Sequence, residues 1–406
     1  MTLFYNATLL DCTGREPQYP AWLLVDSGCI KEIGFSQTPP NIHVTEKVDC
    51  KGMTLMPGLI DAHIHASSYQ NNSVEKSRRY FIGMRYMKAF KILEDTLFQG
   101  FTTVRDCGGV DAGFREAINC GITIGPRMTV CNHILTMTGG HSDHRLSVEI
   151  REPIEDPLEG VVCDGVDQVR KMAREQLRRG ADHIKLMTGG GCSSESDEPE
   201  SSQFSIEEIK AAVEEADAAG KDTIGHCYSN RSMTLCANAG VYSIEHGNFL
   251  DAKTAALIKS KECWLVPTIS TYYIMSRKGD SMGFPDYFMR KMKYVADHAF
   301  EALDIAYKAG LKIASGSDLV GDCQPFKGTE LELKAKVMGS MNALLAMTKR
   351  NAELLKKQDK IGTLEEGKLA DLLLVEGDPL KDPQIIQNRD KIHVIMKNGE
   401  FFKKSL

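Results

Sequence analysis

The chain has 406 residues, 42% of them hydrophobic and 26% charged, with a formal net charge of −6. A chain of this length buries a large core, and the balance is that of an ordinary soluble globular protein. The negative charge and the absence of a basic block argue against a nucleic-acid partner, and no apolar run is long enough to span a membrane.

Residues 1–56 read as short strands, "TLFYNATLLDC" and "AWLLVDSGCIKEIGF" among them, joined by turns. The opening lacks the basic start of a signal peptide, and the 12 cysteines are scattered rather than set in C-x-x-C pairs. Reduced thiols in a cytoplasmic protein are expected. The stretch "LMPGLIDAHIHAS" (55–67) then places His63 and His65 two residues apart after a Pro-Gly turn and an apolar run. In a strand such residues share a face, so both imidazoles point at one spot, as zinc requires. On this stretch alone, two surface histidines of a hairpin are the plain alternative.

Five segments share one layout: "LFQGFTTVRDCGG", "LRRGADHIKLMTGGG", "DAAGKDTIGHCYSN", "ANAGVYSIEHGN" and "YKAGLKIASGSD". Each runs from helical residues through a glycine that stops the helix to a short β-branched run and a polar residue. Helices such as "SIEEIKAAVEEADAAG" alternate with these strands, which means βα units and a parallel sheet. With the strand ending at His65 and strands at "RMTVCN" and "CWLVPT", the count reaches about eight. The expected fold is α/β: a (β/α)8 TIM barrel over 57–362 with a small β-sandwich domain built from 1–56 and 363–406. An open doubly wound sheet fits less well, because no G-x-G-x-x-G follows a strand. Residues 133–165 read as a loop over the barrel mouth and 269–295 as a second insertion. The tail, with "GKLADLLLVEGDP" and "HVIMKNGEFF", returns to the style of the first strands.

Barrel chemistry sits where strands end at the C-terminal face. The repeat places Lys185, His226, His246 and Asp318 there, together with His63 and His65. A lone strand-end histidine is usually a hydrogen-bonded structural residue. Four histidines and an aspartate on one face would be costly to bury unpaired, and they read as a site for two metals. Lys185, on a buried strand, either snorkels to the rim or pairs with a carboxylate, or is an amine that has taken up CO2. The resulting carbamate would be a bidentate anionic ligand able to bridge two metals.

The ordered set "GLIDAHIH", "HIKLMTGGG", "IGHCYS", "SIEHGN" and "ASGSD" resembles the amidohydrolase superfamily over nearly the whole chain, tail included. With "LTMTGGHSD", "HGNFLD", "VPTISTY" and "GSDLVGD", the resemblance extends to its imidazolonepropionase-like Xaa-Pro dipeptidase and carboxypeptidase group, which includes ochratoxin-hydrolysing amidases. It implies a binuclear zinc hydrolase that cleaves the amide bond of an N-acyl or peptidyl amino acid with a metal-bridging hydroxide. His63, His65 and Asp318 would hold one metal, His226 and His246 the other, and carboxylated Lys185 would bridge them. Asp318 would move the proton from the hydroxide to the leaving amine, and Tyr228 or His141 would help polarise the carbonyl. A homo-oligomer is implied by the same resemblance.

His141 otherwise reads as a loop histidine, Tyr228 as a packed aromatic, and Arg231 either as a fork for a substrate carboxylate or as an exposed helix-start arginine. His183 stands where relatives favour a bulky apolar residue. Asp61 either orients the first histidine pair or merely ends the strand. The acidic "GGGCSSESDEPE" either favours a basic substrate group or is a solvated loop. The alternative activities are a cyclic-amide hydrolase or deaminase of the same fold, and, in another class, a metal-free assembly protein, which would typically have lost ligands.

Overall fold

The computed structural model describes residues 1–39, 41–71, 79–150 and 160–406. Residues 151–159 of the expected mouth loop lie outside the described residues. Contacts divide the chain into two compact units, one comprising 1–61, 94–104 and 326–406, the other 62–93 and 105–325.

The first unit is organised by a sheet of eight strands. Along it run Glu400–Lys404, Ile392–Lys397, Leu372–Val375, Thr54–Pro57, Thr2–Leu9, Gln18–Asp26 and Cys29–Gly34, and Glu46–Asp49 pairs beside Thr2–Leu9. The two chain ends meet where Leu373 pairs with Met56. Strand periodicity explains why "LLLV" carries no polar residue. Leu372 and Leu374 pack with Phe4, Leu23 and Val394, whereas Leu373 and Val375 pack with Leu59, Phe101, Leu344 and Ile395. The helices Thr329–Met338 and Ser340–Met347 contribute Leu331 and Leu344 to that second cluster, so contacts group them with the terminal sheet. Asp61, Lys327, Glu330 and Lys334 are buried in this unit, with Lys334 and Glu330 paired at 2.8 Å.

The barrel strands are Leu59–Ile64, Phe101–Asp106, Arg127–Val130, His183–Met187, Asp222–Cys227, Ser243–His246, Trp264–Val266 and Lys312–Ile313, eight among the described residues. The first three form one sheet. The last five run parallel in another, edged by the short strands Ile134–Thr136 and Gly160–Val162. Within the second unit the ring closes through backbone bonds: Asp182 N–H to Val130 O at 2.7 Å, and Ala62 N–H to Ser315 O at 2.9 Å. The fold is a (β/α)8 barrel with a small β domain from both chain ends.

Local chemistry sets the repeat. Gly240 (φ 91°) and Gly310 (φ 71°) take the left-handed conformation that ends helices Asn230–Ala239 and Asp286–Ala309, and a strand follows each. Ser205 and Glu208 form a capping box that starts Ile206–Ala218. The insertion expected at 269–295 consists of helix Ile269–Lys278, the 3-10 turn Gly279–Met282 and the first turns of Asp286–Ala309. Among the described residues no helix is long and apolar enough to cross a membrane.

Candidate metal centre and cavity

The side chains named from the repeat meet in one region of the second unit, although Lys185 lies within strand His183–Met187 and Asp318 lies beyond Lys312–Ile313. His65, Lys185, His226, His246 and Asp318 line a cavity of about 470 Å3 together with His141 and Tyr228. His63 is buried beside it, with Nε2 3.6 Å from the Asp318 carboxylate, and His65 Nε2 lies 3.4 Å from the same oxygen. His246 Nδ1 is 3.9 Å from the other carboxylate oxygen. Ligand atoms of His63, His246 and Asp318 all fall within 4.8 Å of one another. Two of these residues leave regular strand geometry to get there. His246 has φ 74° and Asp318 φ 51°, left-handed values that cost energy away from glycine and cluster at functional sites. Gly316 allows the last strand end to lie against the first, since a Cβ there would sit 2.4 Å from the His63 Cβ.

Each of the four imidazoles has one ring nitrogen engaged by the protein. His63 Nδ1 bonds Glu245 at 2.6 Å, His65 Nδ1 the Gly108 carbonyl at 2.8 Å, His226 Nε2 the Gly190 carbonyl at 3.1 Å and His246 Nδ1 the Thr268 hydroxyl at 2.8 Å. An acceptor on one nitrogen fixes the tautomer and leaves a lone pair on the other, the arrangement found behind metal-binding histidines. Burial, reinforced by neighbouring positive groups, holds His63, His226 and His246 well below the ordinary imidazole range, and burial brings His65 down to about 4. The rings are therefore neutral and able to act as ligands at neutral pH.

Lys185 completes the group. Its side chain is 1% exposed, and among the described residues its amine has no hydrogen-bond partner and no carboxylate paired with it. It does not snorkel to the rim. The charge of this amine is felt by His63, His65, His226 and His246 alike. An unpaired buried ammonium among imidazoles is expensive, whereas an anionic group at that nitrogen would suit metals held by those rings. Neutral imidazoles, a carboxylate and an orphaned amine in one cavity fit divalent metal ions.

Glu245 and Arg105 were not singled out from sequence. Arg105 donates to Glu245 at 2.8 Å and to the Ala62 carbonyl at 2.6 Å, and Ser243 donates to the same carboxylate. The signal was an acidic residue in the buried strand Ser243–His246, sharing strand parity with Ser243. His63, Cys107 and Glu245 also lie close together. However, burial raises the Cys107 thiol far above its usual range, and Glu245 is already occupied, so this trio reads as packing behind His63.

Among the other residues named from sequence, His141 stacks on His226 with ring centroids 4.5 Å apart. Tyr228 is buried with its ring 5.3 Å from that of His246, and burial raises its phenol well above the usual range, so it stays a proton donor. Arg231 is not brought to this cavity. It is exposed in the first turn of Asn230–Ala239 and is absent from the cavity lining. His183 is buried, and its Nε2 has no partner among the described residues. Asp61 belongs to the first unit, where its charge acts on Lys327 and Lys334, and the acceptor on His63 is Glu245. The acidic segment divides. Asp197 is buried and fully engaged, Glu198 pairs with Arg290 at 2.6 Å, and Glu195 lines the cavity. Met275, Phe284 and Phe288 of the 269–295 insertion give the cavity an apolar wall.

Known proteins share this arrangement of chain. The Aspergillus niger ochratoxinase is 30% identical over 427 residues, spanning 99% of this chain and 87% of its own. The crystal structure of a prolidase complexed with N-methylphosphonate-L-proline superposes with a TM-score of 0.95 at 31% identity and covers 100% of both chains. A Xaa-Pro dipeptidase with bound methionine gives a TM-score of 0.90 at 28% identity, covering 99% of each. Residues 54–402 match the amidohydrolase family itself. On a match of that extent, this chain belongs to the amidohydrolase family.

Proposed function

We propose that this protein is a binuclear metal-dependent hydrolase that cleaves the amide bond of N-acyl or peptidyl amino acids. The observation that carries the reading is the buried, unpartnered amine of Lys185 in a cavity shared with His65, His226, His246 and Asp318. His63, His65 and Asp318 would hold one ion and His226 and His246 the other. The Lys185 amine, adding CO2 and releasing a proton, would become the carbamate between them. Bound divalent ions, zinc in this reading, supply Lewis acidity and activate water near neutral pH.

The chain's own groups do the rest. The Asp318 carboxylate, close to the Nε2 atoms of His63 and His65, takes up a proton from the attacking water and returns it to the leaving amine. The Tyr228 phenol, held protonated by burial, donates to the carbonyl oxygen as charge develops on it. His141 is the second polar contact to substrate. Met275, Phe284 and Phe288 offer an apolar surface on which a substrate side chain can pack. Support for amide and dipeptide substrates comes from the prolidase, the Xaa-Pro dipeptidase and the ochratoxinase. A free α-carboxylate on the substrate and a homo-oligomeric enzyme belong to the same reading.

The test is a panel of N-acyl amino acids and dipeptides, offered to zinc-loaded protein of measured metal content. Turnover of members of that panel with about two ions per chain is expected. Turnover confined to cyclic amides or to amino-substituted rings would replace this reading with the cyclic-amide hydrolase or deaminase. Turnover unchanged in metal-free protein would overturn the mechanism.

A further inference from the structure

His141 is held by a closed circuit of hydrogen bonds that the proposed chemistry does not use. Its backbone N–H donates to Gln203 Oε1 at 2.9 Å, and Gln203 Nε2 donates to Asp197 Oδ2 at 2.6 Å. The other Asp197 oxygen accepts the Ser194 hydroxyl, and Ser194 Oγ lies 2.8 Å from His141 Nδ1. The circuit is clamped from outside. Lys291, 0% exposed, donates to the Ser194 carbonyl at 2.9 Å and to the Asp197 carbonyl, and its amine is 3.8 Å from Asp197 Oδ1. Gly191 passes so near the imidazole that a Cβ there would lie 2.0 Å from its Cε1.

Proton counting sets the direction of these bonds. A serine hydroxyl has one hydrogen, and Ser194 spends it on the Asp197 carboxylate, which can only accept. Ser194 Oγ must therefore accept from His141, so Nδ1 carries the hydrogen. The opposite side of the ring agrees, because the Ser193 hydroxyl lies 3.2 Å from Nε2, where it can donate to a lone pair.

We propose that Asp197, acting through Ser194, is a positioning residue for His141: it fixes the Nδ1–H tautomer, so that Nε2, the lone-pair side now facing the Ser193 hydroxyl, meets the substrate as a hydrogen-bond acceptor. The acidic segment thereby has a function inside the protein. Its buried carboxylate orients a cavity residue instead of attracting a basic substrate group.

The structural half of this inference stands on the circuit, and only its kinetic half rests on the amide-hydrolase reading. The experiment uses zinc-loaded protein labelled with 15N-histidine, in which the His141 ring signals are assigned by their loss in His141→Gln. Long-range 1H–15N correlations should show the Nδ1–H tautomer, and Ser194→Ala and Asp197→Asn should each shift it towards Nε2–H. An Nε2–H ring in the parent, or a ring unmoved by both substitutions, overturns the proposal. If Asp197→Asn fails to fold, Ser194→Ala, which removes one hydroxyl, carries the test. On whichever N-acetyl amino acid the parent hydrolyses fastest, Ser194→Ala should lower kcat/KM by about a hundredfold at unchanged zinc content, and Ser194→Thr should restore it. A merely structural loop would lose stability without the tautomer change or the rescue. Should the parent hydrolyse no N-acetyl amino acid, the substrate reading fails while the tautomer still decides this inference.

Discussion

Glu245 reaches His63 from a strand 182 residues further along the chain, its carboxylate 2.6 Å from the imidazole Nδ1, while its other oxygen takes the Arg105 guanidinium at 2.8 Å. One buried carboxylate thus sets the orientation of a proposed ligand and neutralises a buried cation. The two duties separate by mutation. Glu245→Gln keeps an oxygen acceptor but no charge for Arg105, so it should lose less stability than the Ala variant and bind zinc about 10–100-fold more weakly. Glu245→Ala strands Arg105 and should cost roughly 3–5 kcal/mol of stability. Competitive zinc titration and denaturant unfolding read the two effects. Equal zinc affinity in parent and Gln variant would remove Glu245 from the centre.

Lys185→Ala should abolish activity without loosening the fold. Among the described residues the amine makes no hydrogen bond, so its removal leaves no orphaned partner there, and the metal-free variant should melt no lower than the metal-free parent. If residues behind the ligands are worth 10–100-fold, loss of the bridge itself should lower kcat/KM by more than about a hundredfold. Added short carboxylic acids should restore part of it. A variant that turns over like the parent would make Lys185 structural.

Metal-free protein should gain stability as pH rises from about 4 to about 6.5. Burial lowers the His65 imidazole to about 4, so across that window the unfolded chain binds the proton and the folded chain does not. His65 alone is worth about 3 kcal/mol, fully present above the unfolded value and lost as pH falls through the folded one. His63, His183, His226 and His246 are lowered too and act in the same sense. Asp106 opposes them: burial raises its carboxyl to about 7, which removes stability as pH rises from about 4 to 7. Five imidazoles against one carboxyl leave the slope positive. Thermal melts of chelator-treated protein at pH 4.5, 5.5 and 6.5 check it, and a falling midpoint would contradict the burial of these rings.

Capping the substrate's α-carboxylate as an amide removes a charge-assisted hydrogen bond worth about 1.5–3 kcal/mol, so kcat/KM should fall by roughly one to two orders of magnitude. The comparison is an N-acyl amino acid against its C-terminal amide at equal zinc loading. Arg231 is exposed and outside the cavity lining, so Arg231→Ala should leave that ratio unchanged, and Tyr228→Phe, which removes the donor to the scissile carbonyl, should slow both substrates alike. A ratio that shrinks in the Arg231 variant would move carboxylate capture to the helix start.

What the sequence determined by itself was whatever local chemistry repeats. A helix-stopping glycine, a β-branched run and a polar residue recur, so the barrel and the set of His63, His65, Lys185, His226, His246 and Asp318 are legible from the sequence alone. Only the tertiary structure decided which of the other charged residues face inward. Glu245 lies next to His246, but the positive φ of His246 changes that residue's direction, and strand alternation alone does not reveal both as buried. Asp197 sits in an acidic run of the kind that is usually solvated; it is buried because Lys291, 94 residues later, grips its backbone and Gln203 its carboxylate. Arg231 has the right composition and neighbourhood in sequence, yet its helix starts with the guanidinium in solvent. Partners this distant in the chain are set by how packed elements meet, and no short-range pattern encodes that meeting.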